Sequence, residues 1–255
     1  MSIRVSSREI CRLYPTLFPV QVAILMPSLD IPAPPPVSGT PLPESLPAEI
    51  AVRLEADIVM LRLPPGQWLR EEEVSSRFGV SRSPVREAMR LLEADGLLKR
   101  HPRRGSQVTP LSLKHLDAVQ ACRAPLEGLA AAGTARHAER EVIASLEMAV
   151  EAMAAAQAAS HPEAAFHANV RVTGILHAEC GNPVLARLLS SLDKQAMRYR
   201  YLSYQRLPSV VLQSVKANHA LLVAIRSRDE TLARSLTEEL IQANWLALQQ
   251  LFAAP

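Results

Sequence analysis

Arginine recurs at every fourth position in one short stretch of the chain, at Arg82, Arg86 and Arg90. A guanidinium group holds its N–H donors in a planar fork that fits phosphate oxygens and the edge of a guanine base. Side chains at this spacing lie on the same face of a helix. A separate stripe is apolar and consists of Val85, Ala88, Met89 and Leu92. The stretch therefore predicts a helix that buries one face and presents arginines to a nucleic acid.

A second helix and a tight turn are predicted just before this one. Residues 73–80 have the pattern of a short helix that ends at Gly79. Ser81 is then placed to cap the arginine helix, and Pro84 fits its first turn. Two helices joined by such a turn form a helix-turn-helix, a motif that places its second helix in the major groove of DNA.

Two short strands are predicted after the motif, at residues 97–100 and 107–108, with a basic turn between them. Positive charge is concentrated here: from Arg77 to Arg104 there are eight Lys or Arg against three Asp or Glu, whereas residues 111–255 carry fourteen against thirteen. The alternative is a solvated amphipathic helix beside a basic hairpin. The local excess of positive charge favours a winged helix-turn-helix that binds double-stranded DNA.

Four blocks of this region resemble the DNA-binding domain of GntR-family transcriptional regulators. In chain order they span residues 63–69, 79–89, 92–97 and 103–108. The resemblance implies that Arg82, Ser83 and Arg86 contact bases and phosphates. It also implies that the wing around Arg104 and Gly105 enters the minor groove. The full set of expected DNA-binding residues is Ser81, Arg82, Ser83, Arg86, Arg90, Arg103, Arg104 and Gly105.

Glu72 departs from the pattern of that family. It lies in the helix before the turn, where some relatives carry an arginine against the phosphate backbone. Because a carboxylate repels phosphate, no phosphate contact is predicted at this position.

Length and composition favour a mainly α protein of two domains. The chain has 255 residues, of which 4% are aromatic and nine are glycine. We expect a winged helix-turn-helix over residues 46–110, followed by an antiparallel all-helical bundle over residues 111–255. Residues 1–45 are expected to form a proline-rich, flexible or disordered extension. Eight prolines fall between Pro27 and Pro47 and exclude a helix or a central strand there.

The sequence offers no signal for a membrane or for an oxidising compartment. The apolar segment 17–29 is interrupted by Pro19 and Pro27, and it is shorter than the roughly 18–20 apolar residues that span a bilayer. The three cysteines are an odd number, lie far apart and have no C-x-x-C spacing. We therefore expect a cytoplasmic protein with no membrane partner.

The second half of the chain has a helical pattern from Ser112 onward. Ser112 is placed to cap a first helix, which Pro125 is expected to kink. Gly181 is suited to the left-handed end of a helix, and Pro183 to the first position of the next. Further helices are predicted at residues 140–158, 162–180, 183–205, 208–227 and 229–251. Six helices with short connections predict an antiparallel bundle, whose interior suits a small ligand.

Residues 112–250 resemble the FCD effector domain of the FadR-like branch of the same family. The pieces that carry this resemblance are 123–130, 180–185 and 218–225. Many such domains bind a divalent metal through an Asp-x-x-x-His pair and two further histidines, with a small carboxylate ligand beside the metal. The resemblance puts Asn169 and Thr173 at the positions of the pair. It puts His219 at the third position and Leu240 near the fourth.

Only His219 is a metal ligand among these four residues, so no metal cofactor is predicted. Asn169, Thr173 and His177 share one helix face, which is expected to look toward His219. A divalent metal held by His177 and His219 is therefore one alternative. A structural histidine in the bundle core is another reading of His219.

The expected effector is a small organic acid in a metal-free pocket. There, His177 and His219 would hydrogen-bond the ligand and Arg123 would pair with its carboxylate. A salt bridge between helices is the alternative role of Arg123. The expected effector-binding residues are Arg123, Asn169, Thr173, His177 and His219.

Residues 198–201 alternate arginine with tyrosine, and Arg206 follows. Interleaved cations and aromatics suit nucleic acid. Inside a helical domain, a solvated face or a dimer contact is the favoured interpretation.

Together, these features predict a ligand-responsive repressor that binds a pseudo-palindromic operator as a homodimer, because one recognition helix reads only a few base pairs. The alternative is a DNA-binding regulator that has lost its response to an effector along with its metal ligands. A helical enzyme is a remote alternative. No enzyme activity is predicted, since no nucleophile, metal-hydrolase or nucleotide-binding motif is present.

Overall fold

The computed structural model describes residues 2–5, 29–32, 45–102 and 104–253. In the N-terminal extension, strands β1 (Ser2–Val5) and β2 (Leu29–Pro32) pair antiparallel, with Ile3 opposite Ile31. Among the described residues this sheet has two strands, so neither of them is a central strand there. The flexible extension predicted for residues 1–45 lies mostly outside the described residues and stays a prediction.

The expected winged helix-turn-helix follows. Its helices are α1 (Leu46–Val59), α2 (Glu71–Phe78) and α3 (Arg82–Ala94). Its strands are β3 (Trp68–Leu69), β4 (Leu98–His101) and β5 (Gly105–Val108), in the order β3–β5–β4. Gly79 has a φ of 64° at the end of α2, a conformation that glycine adopts without steric cost. Ser81 occupies the N-cap position of α3, but its side chain makes no capping hydrogen bond.

The core of this domain comes from the apolar stripe of α3. Val85 and Leu92 are fully buried against Leu54 and Ile58 of α1. Burial of side chains of this size contributes about 1.5–3 kcal/mol each. The packing fixes the rotation of α3, so that its arginines face away from the core.

Six further helices form the predicted bundle. They are α4 (Leu113–His137), α5 (Arg140–Ala158), α6 (Pro162–Ala178), α7 (Pro183–Arg206), α8 (Pro208–Arg226) and α9 (Glu230–Ala253). Ser112 caps α4 by accepting a hydrogen bond from the His115 amide at 3.2 Å. Gly181 has a φ of 70° and Pro183 opens α7. Pro125 lies inside α4, which continues beyond it to His137.

Helix α7 packs both inside the bundle and against α1 of the DNA-binding domain. It therefore belongs to the bundle and also contacts the DNA-binding domain. Within the described ranges, no helix is long and apolar enough to cross a membrane.

Candidate nucleic-acid interface and buried polar pocket

A groove of about 800 Å³ lies between α3, the start of α2 and the wing formed by β4 and β5. Among the residues that the structure describes, its acidic and arginine lining consists of six arginines and three glutamates. The arginines are Arg70, Arg82, Arg86, Arg90, Arg100 and Arg104, and the glutamates are Glu71, Glu72 and Glu93. We call this surface the arginine groove. Its excess of arginine suits a polyanion.

Arg86 is held above the groove by Glu71. Its Nε and Nη2 atoms donate to the two carboxylate oxygens of Glu71 at 3.0 and 2.8 Å. The hydrogen bond and the charge of Arg86 lower the pKa of Glu71, so this carboxylate stays ionised. The bidentate pair fixes the direction of the Arg86 side chain before any DNA arrives.

Arg82 also pairs with a carboxylate, that of Glu72, the residue that departs from the family pattern. Its Nη2 atom donates to Glu72 Oε1 at 2.6 Å, and both side chains are exposed. A phosphate that approaches Arg82 must therefore share it with a carboxylate. Glu72 weakens the positive field at the start of α3.

The structure gathers most of the predicted DNA-binding residues on one surface. Arg90, Arg104 and Gly105 line the arginine groove with Arg82 and Arg86. Ser81 and Ser83 are exposed at the start of α3, beside the groove. Arg103 lies outside the described residues, so its predicted contact stays a prediction.

Sequence reasoning missed two arginines of the groove. Arg70 directly precedes α2, and Arg100 lies on β4. The sequence did contain a signal for Arg100, because it follows Lys99 on a predicted strand that leads into the basic turn. In the structure Leu98 of this strand is buried, whereas Lys99 and Arg100 are exposed. Arg70 becomes part of the groove only through the pairing of β3 with β5.

The bundle contains a buried polar network around Glu127. Arg123 Nε donates to Glu127 Oε1 at 3.0 Å, and His177 Nε2 lies 2.9 Å from Glu127 Oε2. Burial opposes ionisation of Glu127, but the charge of Arg123 and the hydrogen bond from His177 outweigh it and lower its pKa to about 2. Arg123 thus forms an ion pair within α4, and it also lines a small pocket.

Arg200 completes this network from α7. Its Nη1 atom donates to Thr173 Oγ1 at 2.8 Å and to Asn169 Oδ1 at 3.2 Å, and its Nη2 atom pairs with Asp193. The expectation of a solvated face or dimer contact at residues 198–201 is wrong, because Arg198, Tyr199 and Arg200 are all buried. Arg198 donates to the carbonyl oxygen of Thr109 between the two domains.

His219 lies apart from the other four predicted effector residues. Its ring is 43% exposed, its Nδ1 atom lies 3.0 Å from the Val215 carbonyl oxygen, and its Nε2 atom lies 3.5 Å from Glu151 of α5. The rotation of α8 directs His219 away from the pocket, so the face that carries His177 does not look toward it. The structure brings together Arg123, Asn169, Thr173 and His177.

The residues at the expected metal positions do not fit a metal ion. Asn169 and Thr173 accept hydrogen bonds from a guanidinium group, and the apolar Leu240 lines the pocket near the fourth position. In the described part of the chain, no cluster of three or more His, Cys, Asp or Glu is arranged to hold a metal.

The helix-turn-helix, the wing and the arginine groove define a DNA-binding transcriptional regulator. Residues 46–108 match the family model described as bacterial regulatory proteins, gntR family, and residues 118–243 match the FCD domain. The chain belongs to the GntR family and carries an FCD domain after its DNA-binding domain.

Individual relatives agree with this assignment. The chain is 46% identical over 87 residues to the HTH-type transcriptional regulator YdhC of Bacillus subtilis (strain 168). The matched region covers 34% of this chain and 39% of that protein. It is 50% identical over 60 residues to the HTH-type transcriptional repressor RspR of Escherichia coli (strain K12), covering 24% of this chain and 26% of that protein. The matches thus span less than half of either relative. The solved structure of E. coli McbR/YncC shares the fold, with a TM-score of 0.73 at 23% identity over 82% of this chain and 99% of that chain.

Proposed function

We propose that this regulator is a ligand-responsive repressor, which binds a pseudo-palindromic operator as a homodimer and senses a small organic acid in its FCD domain. The observation that carries the proposal is the position of helix α7. Arg200 of α7 lines the buried pocket, and Lys194 of the same helix hydrogen-bonds Asp95 of the DNA-binding domain at 2.6 Å. A ligand that moves Arg200 would act on the helix that holds the DNA-binding domain.

Repression is supported by the similarity to RspR, which is named as a transcriptional repressor. A protein seated on an operator through its arginine groove blocks access to that DNA without any catalysis. The ligand must bind the DNA-free state more tightly than the DNA-bound state to release it.

Homodimer formation is supported by apolar side chains on two packed helices. Leu129 of α4 and Val184 and Leu188 of α7 are 45%, 54% and 52% exposed. Exposed large apolar side chains on adjacent helices suit a protein interface. A two-fold dimer places two recognition helices on two half-sites, which gives the specificity that one helix lacks.

The test measures operator affinity by fluorescence anisotropy, with DNA selected from a random pool, in the presence and absence of small organic acids. We expect an acid that binds the protein to weaken operator binding by about tenfold, within the usual range of coupling energies. Operator affinity that no bound acid changes would contradict ligand response. Sedimentation of the Leu188→Glu variant tests the dimer: a monomer is expected, and an unchanged dimer would place the interface elsewhere.

A further inference from the structure

The pocket at the centre of the bundle is small and built around a fixed cation. Its volume is about 50 Å³. Arg200, which is 6% exposed, uses Nη1 for Thr173 and Asn169 and Nη2 for Asp193. Its Nε atom is buried and has no hydrogen-bond partner among the described residues. One donor of this guanidinium group is therefore available to a ligand.

The guanidinium group lies where the resemblance to metal-binding FCD domains would place a metal. Asn169 and Thr173 stand at the positions of the metal-binding pair, and Arg200 donates to both. A divalent cation in contact with the same two oxygens would be repelled by this charge. Burial lowers the pKa of Arg200 and the charge of Asp193 opposes that shift, but arginine is not deprotonated in proteins. The guanidinium group is thus a permanent cation at this position, and Asp193 is its counter-charge.

The walls of the pocket offer further unused polar atoms. Gln120 Oε1 and Asn244 Oδ1 are buried without partners among the described residues, and both side chains line the pocket. Arg123 reaches Glu127 through its Nε atom. Buried polar atoms without partners are unfavourable, and an amide group both donates and accepts hydrogen bonds. Glu127 also lines the pocket, and its two carboxylate oxygens are held by Arg123 and His177. The lining thus combines this paired carboxylate with cationic donors for an anion and amides that suit a hydroxyl group.

We propose that Arg200 takes the place of the metal ion in this FCD domain, and that the ligand is a small hydroxycarboxylate. Its carboxylate accepts hydrogen bonds from Arg200 and Arg123, and its hydroxyl group pairs with the amides of Gln120 and Asn244. The pocket volume of about 50 Å³ is several times what one water needs, so the pocket has room for a molecule larger than water. The same small volume limits the ligand to the size of glycolate or lactate. This inference rests on the proposed ligand-sensing function.

The experiment is calorimetric titration of the full chain with glycolate, lactate and acetate, all in the presence of EDTA. Acetate carries the same charge but lacks the hydroxyl group. We expect glycolate or lactate to bind at least about tenfold more tightly than acetate, since a site built to hydrogen-bond a hydroxyl rejects the analogue that lacks it. Arg200→Lys is expected to weaken binding by about tenfold or more, because lysine lacks the planar fork.

Two further variants keep the test decisive. Gln120→Leu is expected to reduce glycolate binding to the level of acetate without changing acetate binding, and it decides the matter if Arg200→Lys does not fold. The matched control is His219→Gln, because His219 lies outside the pocket. We expect this variant protein to bind glycolate like the parent. Each variant must retain operator binding in the absence of ligand.

Three results would overturn the inference. They are binding that requires zinc or nickel and disappears in EDTA, equal affinity for acetate and glycolate, and no binding of any of the three acids. Failure of the proposed function would give a different result from failure of this inference. Hydroxy acids would then bind in the pocket while operator affinity stays unchanged. If another small organic acid releases the operator and no hydroxy acid binds, the proposed function stands and this inference falls.

Discussion

The Nζ atom of Lys194 lies 2.6 Å from Oδ2 of Asp95 and 3.4 Å from Oε2 of Glu55. Lys194 belongs to α7 of the bundle, whereas Asp95 follows the recognition helix α3 and Glu55 lies on α1. Burial lowers the pKa of Lys194, but the hydrogen bond to Asp95 and the charge of Glu55 outweigh burial and raise it. A charged lysine thus joins the end of the recognition helix to the FCD domain.

Lys194→Met should destabilise the protein, because it leaves two carboxylates facing each other without a cation. We expect a loss of about 1–2 kcal/mol in the free energy of unfolding, measured by urea denaturation. Lys216→Met, on the exposed surface of α8, is the matched control and should cost almost nothing. Equal losses in the two variants would mean that Lys194 makes no specific contribution between the domains.

Arg86→Ala should weaken operator binding by roughly 10- to 100-fold and relax the preference for one base pair, because a bidentate arginine contact is worth about 1–3 kcal/mol. The measurement is a mobility-shift titration with the operator and with single-base variants of it. Arg226→Ala, whose side chain pairs with Glu147 in the bundle, is the control. Unchanged affinity and unchanged base preference in Arg86→Ala would remove this residue from the interface.

Glu72→Gln should tighten DNA binding by a few-fold, because it removes a negative charge from the arginine groove and frees Arg82 for phosphate. The gain should appear on nonspecific DNA as well and should shrink at high salt. Glu73→Gln removes the same charge from the same helix outside the groove lining. A gain of equal size in both variants would point to net charge and not to the pair of Glu72 with Arg82.

The pKa of Glu127 predicts how stability depends on pH. Its pKa of about 2 in the folded protein lies below the ordinary value of 4.5, so its contribution is complete above about pH 4.5 and is lost as the pH falls toward 2. We expect this loss to be on the order of 3 kcal/mol. Denaturation of parent and Glu127→Gln across this range should give a shallower pH dependence in the variant. Parallel curves would show that Glu127 is not stabilised as an anion.

Patterns that are local in the sequence predicted the fold well. Gly79, the apolar stripe of α3 and the break at Gly181 each act within one or two turns of the chain, where spacing determines structure. The same reasoning missed strand β3, because it has two residues and exists only through its pairing with the distant strand β5.

The pocket could be predicted only in part. Arg200 looked like a surface residue because charge on an amphipathic helix is usually solvated, and its partners Asp193 and Asn169 meet it only after the helices pack. The spacing on α8 likewise could not show that His219 faces Glu151. Rotation of a helix about its own axis depends on all of its neighbours.

The most direct test of operator recognition by a dimer is selection of bound sequences from a random DNA pool by the full chain, followed by footprinting of the enriched site. We expect a pseudo-palindrome whose two half-sites are centred about 10 base pairs or a multiple of that distance apart, with major-groove protection in each half. The Arg86→Ala variant should fail to enrich the same motif. Enrichment of no sequence, or of a single unpaired site that Arg86→Ala selects equally well, would contradict recognition of the operator by a dimer through Arg86.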